Sequence, residues 1–457
     1  NRLVVTAGVD WRQVQILRAY RKYHHRVNSS FPVEYKNDAF AAHPAIAAQL
    51  VELFEMRFDP SRPRDPQAVE ALGEKIRSDL DAVRSLELDR ILRNALGVVD
   101  ATVRTNAYVP GRRAIAFKFR SAAVPEMPKP TPLFEIFVYS PEMEAIHLRG
   151  GRVARGGIRW SERRQDYRTE ILGLLKAQMV KNAVIVPTGA KGGFVLKHEV
   201  TDPRASKDEG TRQYVTFVRS MLEVTDNLVD GMVVHPDHVV VHDEDDPYLV
   251  VAADKGTATF SDTANAISAE YGFWLGDAFA SGGSTGYDHK ELGITARGAW
   301  ESVKRHFREI GTDVMNEPFT VVGIGDMSGD VFGNGMLYSD QICLVAAFDH
   351  RHVFVDPSPH PAVGYAERRR LFDRPGSSWD DYDRSKISEG GGVWPRTDKS
   401  IEISPQTRLA LGIEADELTP GELISAILSA PVDLFYNGGI GTYVKASSES
   451  DADVGDR

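Results

Sequence analysis

The sequence predicts an α/β protein with two α/β domains behind a mainly helical N-terminal region, and three patterns carry that expectation. Apolar residues recur at helical spacing as far as Val98. Short apolar runs then alternate with helical patterns between Leu133 and Gly293, and a strand, a glycine-rich turn and a helix follow one another from Phe319. The expected divisions are residues 1–130, a helical region with a strand pair; 131–294, the first α/β domain; and 295–457, the second.

Residues 11 to 27, 42 to 58 and 66 to 98 repeat apolar side chains every three or four positions, as Leu72, Ile76, Leu80 and Val83 do in the third run. These predict helices. His24, His25 and His43 fall among them without the clustered Cys, Asp or Glu spacing that completes a metal site, so no metal is expected. Two alternating stretches, 102 to 109 and 114 to 120, flank a Pro-Gly turn and predict a strand pair. The Pro-rich segment 124 to 132 reads as a linker. Beyond it, residues 134 to 139, 184 to 186, 239 to 241 and 248 to 253 predict strands, and 210 to 228 a helix. Thr295 is placed to cap a further helix before the second α/β domain.

Composition bounds the function. At 457 residues, with 42% hydrophobic and 26% charged, the chain is of ordinary globular type and long enough for two to three domains. A net charge of -11 argues against general affinity for nucleic acid. No apolar run approaches the roughly 18 residues that cross a bilayer, and no signal peptide opens the sequence, so no membrane partner is expected. Cys343, the single cysteine, lies in an apolar strand pattern and reads as a core thiol with no internal disulfide, which predicts a cytoplasmic location. Asn1 stands where a methionine would start a chain and residues 447 to 457 are polar, so an excised piece of a longer protein is expected.

The chemistry concentrates around residues 187 to 193, where Lys191 is bracketed by glycines and reads as a lysine presented on a tight turn. Upstream stand Arg155-Gly-Gly-Ile-Arg159-Trp, a helical run from Asp166 to Lys181, and the apolar residues 183 to 186. Downstream, Asp254 follows the apolar run 248 to 253. Three cations and one carboxylate thus fall at the ends of buried elements, where an α/β sheet gathers ligand groups. Arg159 reads equally as a structural arginine bridging to a carboxylate of the fold, and Asp254 also as a turn or helix cap.

In the second domain, Gly323, Gly325 and Gly329 follow the strand from Phe319, with the third glycine one residue late for a dinucleotide fingerprint. Asp349, 26 residues after Gly323, ends the next strand, 342 to 348. A carboxylate there accepts hydrogen bonds from ribose hydroxyls and repels a 2′-phosphate, which favours NAD over NADP. His350-Arg351-His352 is the counter-signal, because an arginine is what a 2′-phosphate uses. Residues 431 to 439 read as a further strand and turn, with Asn437 or Gly438 bordering the nicotinamide.

The glycine pair, the lysine-ended helix, the Gly-Ala-Lys-Gly-Gly segment and the strand-terminal aspartate, in that order, resemble the glutamate dehydrogenase family. The wording of 150 to 161 and of Ala-Gln-Met-Val-Lys181-Asn-Ala-Val-Ile-Val-Pro is similar to its large NAD-specific subclass, and the resemblance covers most of the chain. It implies a substrate domain and a Rossmann-like NAD-binding domain with the active site in the cleft between them, acting on L-glutamate, 2-oxoglutarate and ammonium in a homo-oligomer. Carried over by motif, Lys191 stabilises charge at the substrate carbon and activates water, Asp254 relays protons to the amino group, and Lys181 pairs with the α-carboxylate. A cationic pocket is expected around Lys191 to make it exchange protons near neutrality.

Two departures stand out. Arg155 occupies the position where glutamate-specific members carry a lysine for the side-chain carboxylate, and the glycine segment is one glycine short, leaving Lys181 and Lys191 ten positions apart. A dehydrogenase of another amino acid, or a non-catalytic NAD-binding module, are the competing readings. Arginine at 155 favours a dicarboxylate over an apolar substrate.

Overall fold

The structure, a computed structural model, describes residues 2–28, 30–181, 188–198, 202–254, 257, 260–284, 289–439 and 446–450. Two compact units divide after residue 286.

The first unit opens with α1 (Arg2–Thr6), α2 (Trp11–Val27), α3 (Val33–Ala42), α4 (Pro44–Phe58), α5 (Pro66–Asp81) and α6 (Leu86–Ala101). Asp10 starts α2 through a reciprocal capping box with Gln13, which satisfies two amides that a helix start leaves open. The expected helix 42 to 58 forms as α4, α3 before it was not expected, and the expected run 66 to 98 is split in two. Pro44 supplies no amide to continue α3 and instead sits in the first turn of α4. Ser85 accepts from the Leu88 amide and starts α6 anew after α5 has ended.

Strands β1 (Thr102–Thr105), β2 (Ile115–Arg120), β3 (Phe134–Tyr139), β4 (Met143–Arg149), β5 (Ala154–Arg155) and β6 (Gly157–Trp160) follow, then α7 (Tyr167–Lys181), β7 (Thr188–Leu196) and α8 (Pro203–Leu222). The hairpin β8 (Asn227–Val229) with β9 (Met232–Val234), the short β10 (Ala252–Ala253) and α9 (Ser261–Glu270) complete the unit. One eight-stranded sheet runs β1-β2-β3-β4-β7-β6-β10, with β5 also paired to β7. The Pro-rich segment therefore joins two antiparallel neighbours, β2 and β3, within one sheet and is no linker between domains. Its packing explains why: a side chain at Gly97 of α6 would meet Pro125 at 2.4 Å.

Both faces of this sheet are covered, so β1 and β2, expected to alternate, are buried except at Arg120. Phe117, Phe119 and Phe137 pack on Tyr20, Tyr23, Phe54 and Ile171 on one side. Ala116, Ile136 and Val138 pack on Tyr214, Phe217 and Val218 of α8 on the other.

Charges are buried as well, and three cations on β1, β2 and β4 meet carboxylates. Arg104 on β1 contacts Asp226 and Asp243, both at 2.5 Å; Lys118 on β2 contacts Asp243 at 2.5 Å and Asp246 at 2.6 Å; Arg149 at the end of β4 also pairs with Asp246. Burial alone pushes the Asp246 carboxyl up, and Arg149 and Lys118 outweigh it, holding the group below its ordinary value. This network explains a difference from the sequence reading. Residues 239 to 241 and 248 to 253 were expected to form strands, but of these only Ala252–Ala253 pairs in the sheet, as β10 with β6, and the chain before it is anchored to the sheet by carboxylates.

The second unit contains α10 (His289–Leu292), α11 (Ile294–Glu309), β11 (Phe319–Ile324), α12 (Asp330–Gly335), β12 (Ile342–Phe348), β13 (His352–Val355), α13 (Pro361–Asp373), β14 (Gly392–Pro395), β15 (Ile401–Glu402), α14 (Pro405–Leu411), β16 (Glu417–Leu418), α15 (Pro420–Leu428) and β17 (Leu434–Asn437). Its five-stranded sheet runs β14-β13-β12-β11-β17, with β12, β11 and β17 parallel and β13 and β14 antiparallel. Trp300, Phe332 and Leu371 cover one face, and Leu411, Leu423 and Ile427 the other, as a doubly wound α/β sheet requires. Gly293, not Thr295, stands at the N-cap of α11, in a left-handed conformation. Cys343 lies on β12 and is only half-buried. Among the described residues, no helix is long and apolar enough to cross a membrane.

Candidate active site

The segment from Gly189 to Gly193 is not a turn. It lies inside β7, where Lys191 stands opposite Leu148 of β4 and Gly192 opposite Ile158 of β6. The glycines serve close approach rather than a reversal of direction. A side chain on Gly189 would sit 2.4 Å from the Gln178 carbonyl oxygen of α7, and one on Gly156 would sit 1.5 Å from the carbonyl oxygen of Ala190. Removing side chains lets α7 and the chain around β5 and β6 press directly on the strand that carries Lys191.

Lys191 is almost buried, and its ammonium forms an ion pair with Asp254 Oδ2. Asp254 follows β10 directly, and its amide donates to Thr257 Oγ1 at 3.0 Å; that hydroxyl donates to the Ile158 carbonyl of β6 at 2.6 Å. The turn bearing the carboxylate is thereby tied to the neighbouring strand. Oδ1 of Asp254 lies 3.5 Å from Arg159 Nη2, and Arg159 Nη1 donates to Glu170 Oε1 at 3.0 Å. Glu170 in turn accepts from the Ser161 hydroxyl at 2.5 Å through Oε2. The expected cationic pocket is therefore an alternating chain of cation and carboxylate, because adjacent unscreened cations in a nearly buried site repel.

Arg155, on β5, donates through Nη2 to the Ala278 carbonyl at 3.2 Å. Lys181 closes α7 as expected, but its side chain lies outside the described residues, as do residues 183 to 186. The structure thus brings Lys191, Asp254 and Arg159 together and ties Arg155 to the 3-10 helix Gly276–Phe279.

In the second unit, β11 and β12 are parallel and α12 lies between them in sequence. Gly323 falls within β11 and Gly325 directly after it, at φ +139; a side chain on Gly325 would meet Phe332 of α12 at 2.6 Å. The Gly329 amide is already engaged: Asp326 Oδ1 accepts from it at 3.1 Å and from the Ser328 amide at 2.9 Å. Asp349 follows β12, fully buried. Its Oδ1 accepts from the amides of Arg351 and His352, both at 2.7 Å, while Oδ2 is buried without a hydrogen bond. Arg351 lies 3.6 Å from both Asp326 and Asp349 and supplies their countercharge. Asn437 ends β17, and the Gly438 amide donates to the Ile324 carbonyl at 2.8 Å.

The family profile described as bacterial NAD-glutamate dehydrogenase, catalytic domain, matches residues 75–457, and that of glutamate dehydrogenase, helical motif 3, matches residues 1–60. The chain belongs to the bacterial NAD-glutamate dehydrogenase family. It is 57% identical over 464 residues to the NAD-specific glutamate dehydrogenase of Halomonas elongata, 56% over 470 residues to that of Pseudomonas aeruginosa and 57% over 483 residues to that of Mycobacterium tuberculosis. All of this chain is covered in each case, against 29%, 29% and 30% of those relatives. The chain thus spans less than a third of the length of the curated relatives it matches.

Within this glutamate dehydrogenase segment, the sequence reading passed over Glu170 and Ser161. An acid in the first turn of a helix reads as complementing the helix dipole, and only the fold shows that Glu170 faces Arg159 on β6. The available signal was Arg159 and Ser161 two positions apart, which puts both on one face of an extended chain.

The glycine contacts give a direct test. Gly156→Ala is expected to cost about 3 kcal/mol or more, since the clashing atom is backbone. Gly298→Ala, in α11 with nothing within 4 Å, is expected to gain about 0.5–1 kcal/mol. Urea denaturation of the two variants measures both; equal and small effects would contradict the packing of Gly156 against β7.

Proposed function

We propose that the chain is the catalytic region of an NAD-dependent glutamate dehydrogenase that interconverts L-glutamate with 2-oxoglutarate and ammonium. The observation that carries this reading is the Lys191–Asp254 ion pair, one amine and one carboxylate held together in a nearly closed site. Oxidative deamination requires that combination. A base must take the proton of the water that adds to the imine carbon, and a carboxylate must move a proton to and from the substrate nitrogen.

In this reading the Lys191 amine takes the proton of the adding water and, as the ammonium so formed, holds the new oxygen, while Asp254 carries protons to and from the substrate nitrogen. Because Asp254 Oδ2 pairs with Lys191 and Oδ1 faces Arg159, the carboxylate is held by two cations and its orientation is fixed. Lys181 takes the α-carboxylate, and Arg155 the distal one through its planar donor fork. The contact with the Ala278 carbonyl uses only one nitrogen of Arg155, leaving donors for a carboxylate.

The residues fit NAD on two counts: the buried Oδ2 of Asp349 is an acceptor without a donor, and the approach of β11 to α12 at Gly325 leaves no space for a side chain. Ribose hydroxyls would supply the missing donors, whereas a 2′-phosphate would meet the carboxylate's charge. When bound, NAD accepts the hydride from Cα of glutamate. With the Gly329 amide engaged by Asp326, the seat for the dinucleotide rests on Gly323, Gly325 and Asp349. We also read a cytoplasmic homo-oligomer: the single Cys343 offers no internal disulfide, and light scattering on the intact protein tests the assembly.

Lys191→Ala is expected to lower glutamate-dependent NADH formation by a hundredfold or more, equivalent to about 2.7 to 4 kcal/mol, while NAD binding is kept. A variant retaining a tenth of the wild-type rate contradicts the role. For substrate choice, Arg155→Leu breaks one side of the pair with the distal carboxylate and is expected to cost glutamate about 3 to 5 kcal/mol, with norvaline far less affected. The ratio of kcat/KM for the two amino acids, measured in wild type and variant, decides; an unchanged ratio makes Arg155 structural.

A further inference from the structure

Resting on the reading of Lys191 and Asp254 above, we infer that Glu170 is a positioning residue, which holds Arg159 beside Asp254 and shares its charge so that Asp254 remains able to take a proton. Glu170 is nearly buried at the start of α7, and Arg159 on β6 is committed at both ends of its guanidinium. The two ends are unequal. The contact with Glu170, 3.0 Å, is a hydrogen bond, whereas that with Asp254, 3.5 Å, is a charge contact. Arg159 Nε is buried without a hydrogen bond, so the side chain is placed by its two carboxylates and the strand. Ser161 fixes the remaining oxygen of Glu170.

The charge arithmetic gives this arrangement a consequence for chemistry. Two cations, Lys191 from β7 and Arg159 from β6, face Asp254, and a carboxylate held by two uncompensated cations is a poor base. Glu170 compensates one of them. The groups facing Glu170 are Arg159, Ser161 and, at longer range, Arg163, which is itself paired with Asp166. Glu170 touches no reacting atom in this scheme and acts only through Arg159.

The test is the pH dependence of kcat/KM for glutamate, with NAD saturating, on the intact protein and two variants. Glu170→Gln keeps the shape and an acceptor for Arg159 but removes the charge. It is expected to move the acidic limb down by about one pH unit and to lower the plateau roughly three- to tenfold, as a weaker base does. Arg159→Gln removes a cation from Asp254 and is expected to move the same limb up. A purely structural role would lower yield or thermal stability and leave the limb in place, so an unmoved limb in Glu170→Gln overturns the proposal. If Glu170→Gln does not fold, the upward shift in Arg159→Gln decides alone, and its absence overturns the proposal equally. Lys191→Ala run alongside separates the failures. A dead Lys191→Ala with an unmoved Glu170→Gln limb removes only the positioning role, whereas a wild type without glutamate turnover removes both readings.

Discussion

The close contact of helix α7 with strand β7, backbone to backbone at Gly189 and with Ile171 seated on Gly193, is the constraint on which the site depends. With the Gln178 carbonyl 2.4 Å from where a side chain on Gly189 would begin, the helix has one position available against the sheet. That position aims Glu170 at Arg159 and sets where the helix ends, at Lys181. The other side of α7 is held from the N-terminal helices. Fully buried Arg168 pairs with Glu135 of β3, and Tyr23 of α2 donates to the same carboxylate at 2.8 Å. Such a pair is costly to break, because the remaining charge has no water to turn to. The helices that precede the sheet therefore help to place α7, and the unit from α1 to α9 works as one packed body rather than as a bundle attached to a domain.

How much of this could be read from the sequence depended on whether a signal was local. The helix Trp11–Val27 and the strand Ile342–Phe348 fell where their periodicity placed them, because each carries its own cap or apolar run. The family resemblance, which rests on contiguous wording, was borne out by the profile over residues 75–457. What failed was non-local. Glycines at 189, 192 and 193 read as a turn, since a sequence cannot distinguish a glycine that bends the chain from one that admits a neighbour. The chain around 239 to 251 read as strand from its valines, yet what holds it is a set of carboxylates meeting Arg104, Lys118 and Arg149 from strands far upstream. Glu170 escaped for the same reason: its partner lies across the fold, eleven positions back on another element.

The two sites hold their carboxylates differently, and the difference is chemical. In the first, Asp254 is held by two cations and Asp246 by two more, so negative charge is matched where it is buried. In the second, Asp326 is turned onto the amides before α12 and Asp349 onto its own turn, with one oxygen of Asp349 left over. That oxygen has Arg351 at 3.6 Å for its charge but no hydrogen bond, and a buried acceptor in that state costs stability unless a donor arrives.

The central claim is that Lys191 and Asp254 act as a pair, an amine for the oxygen and a carboxylate for the nitrogen. The most direct measurement is glutamate-dependent NADH formation by Asp254→Asn in the intact protein, with NAD and glutamate binding followed separately by calorimetry. The account predicts binding within a few-fold of wild type and a rate lower by about 10² or more, the share that proton transfer by a placed carboxylate ordinarily contributes. A variant that binds both ligands and turns over at close to the wild-type rate would contradict it.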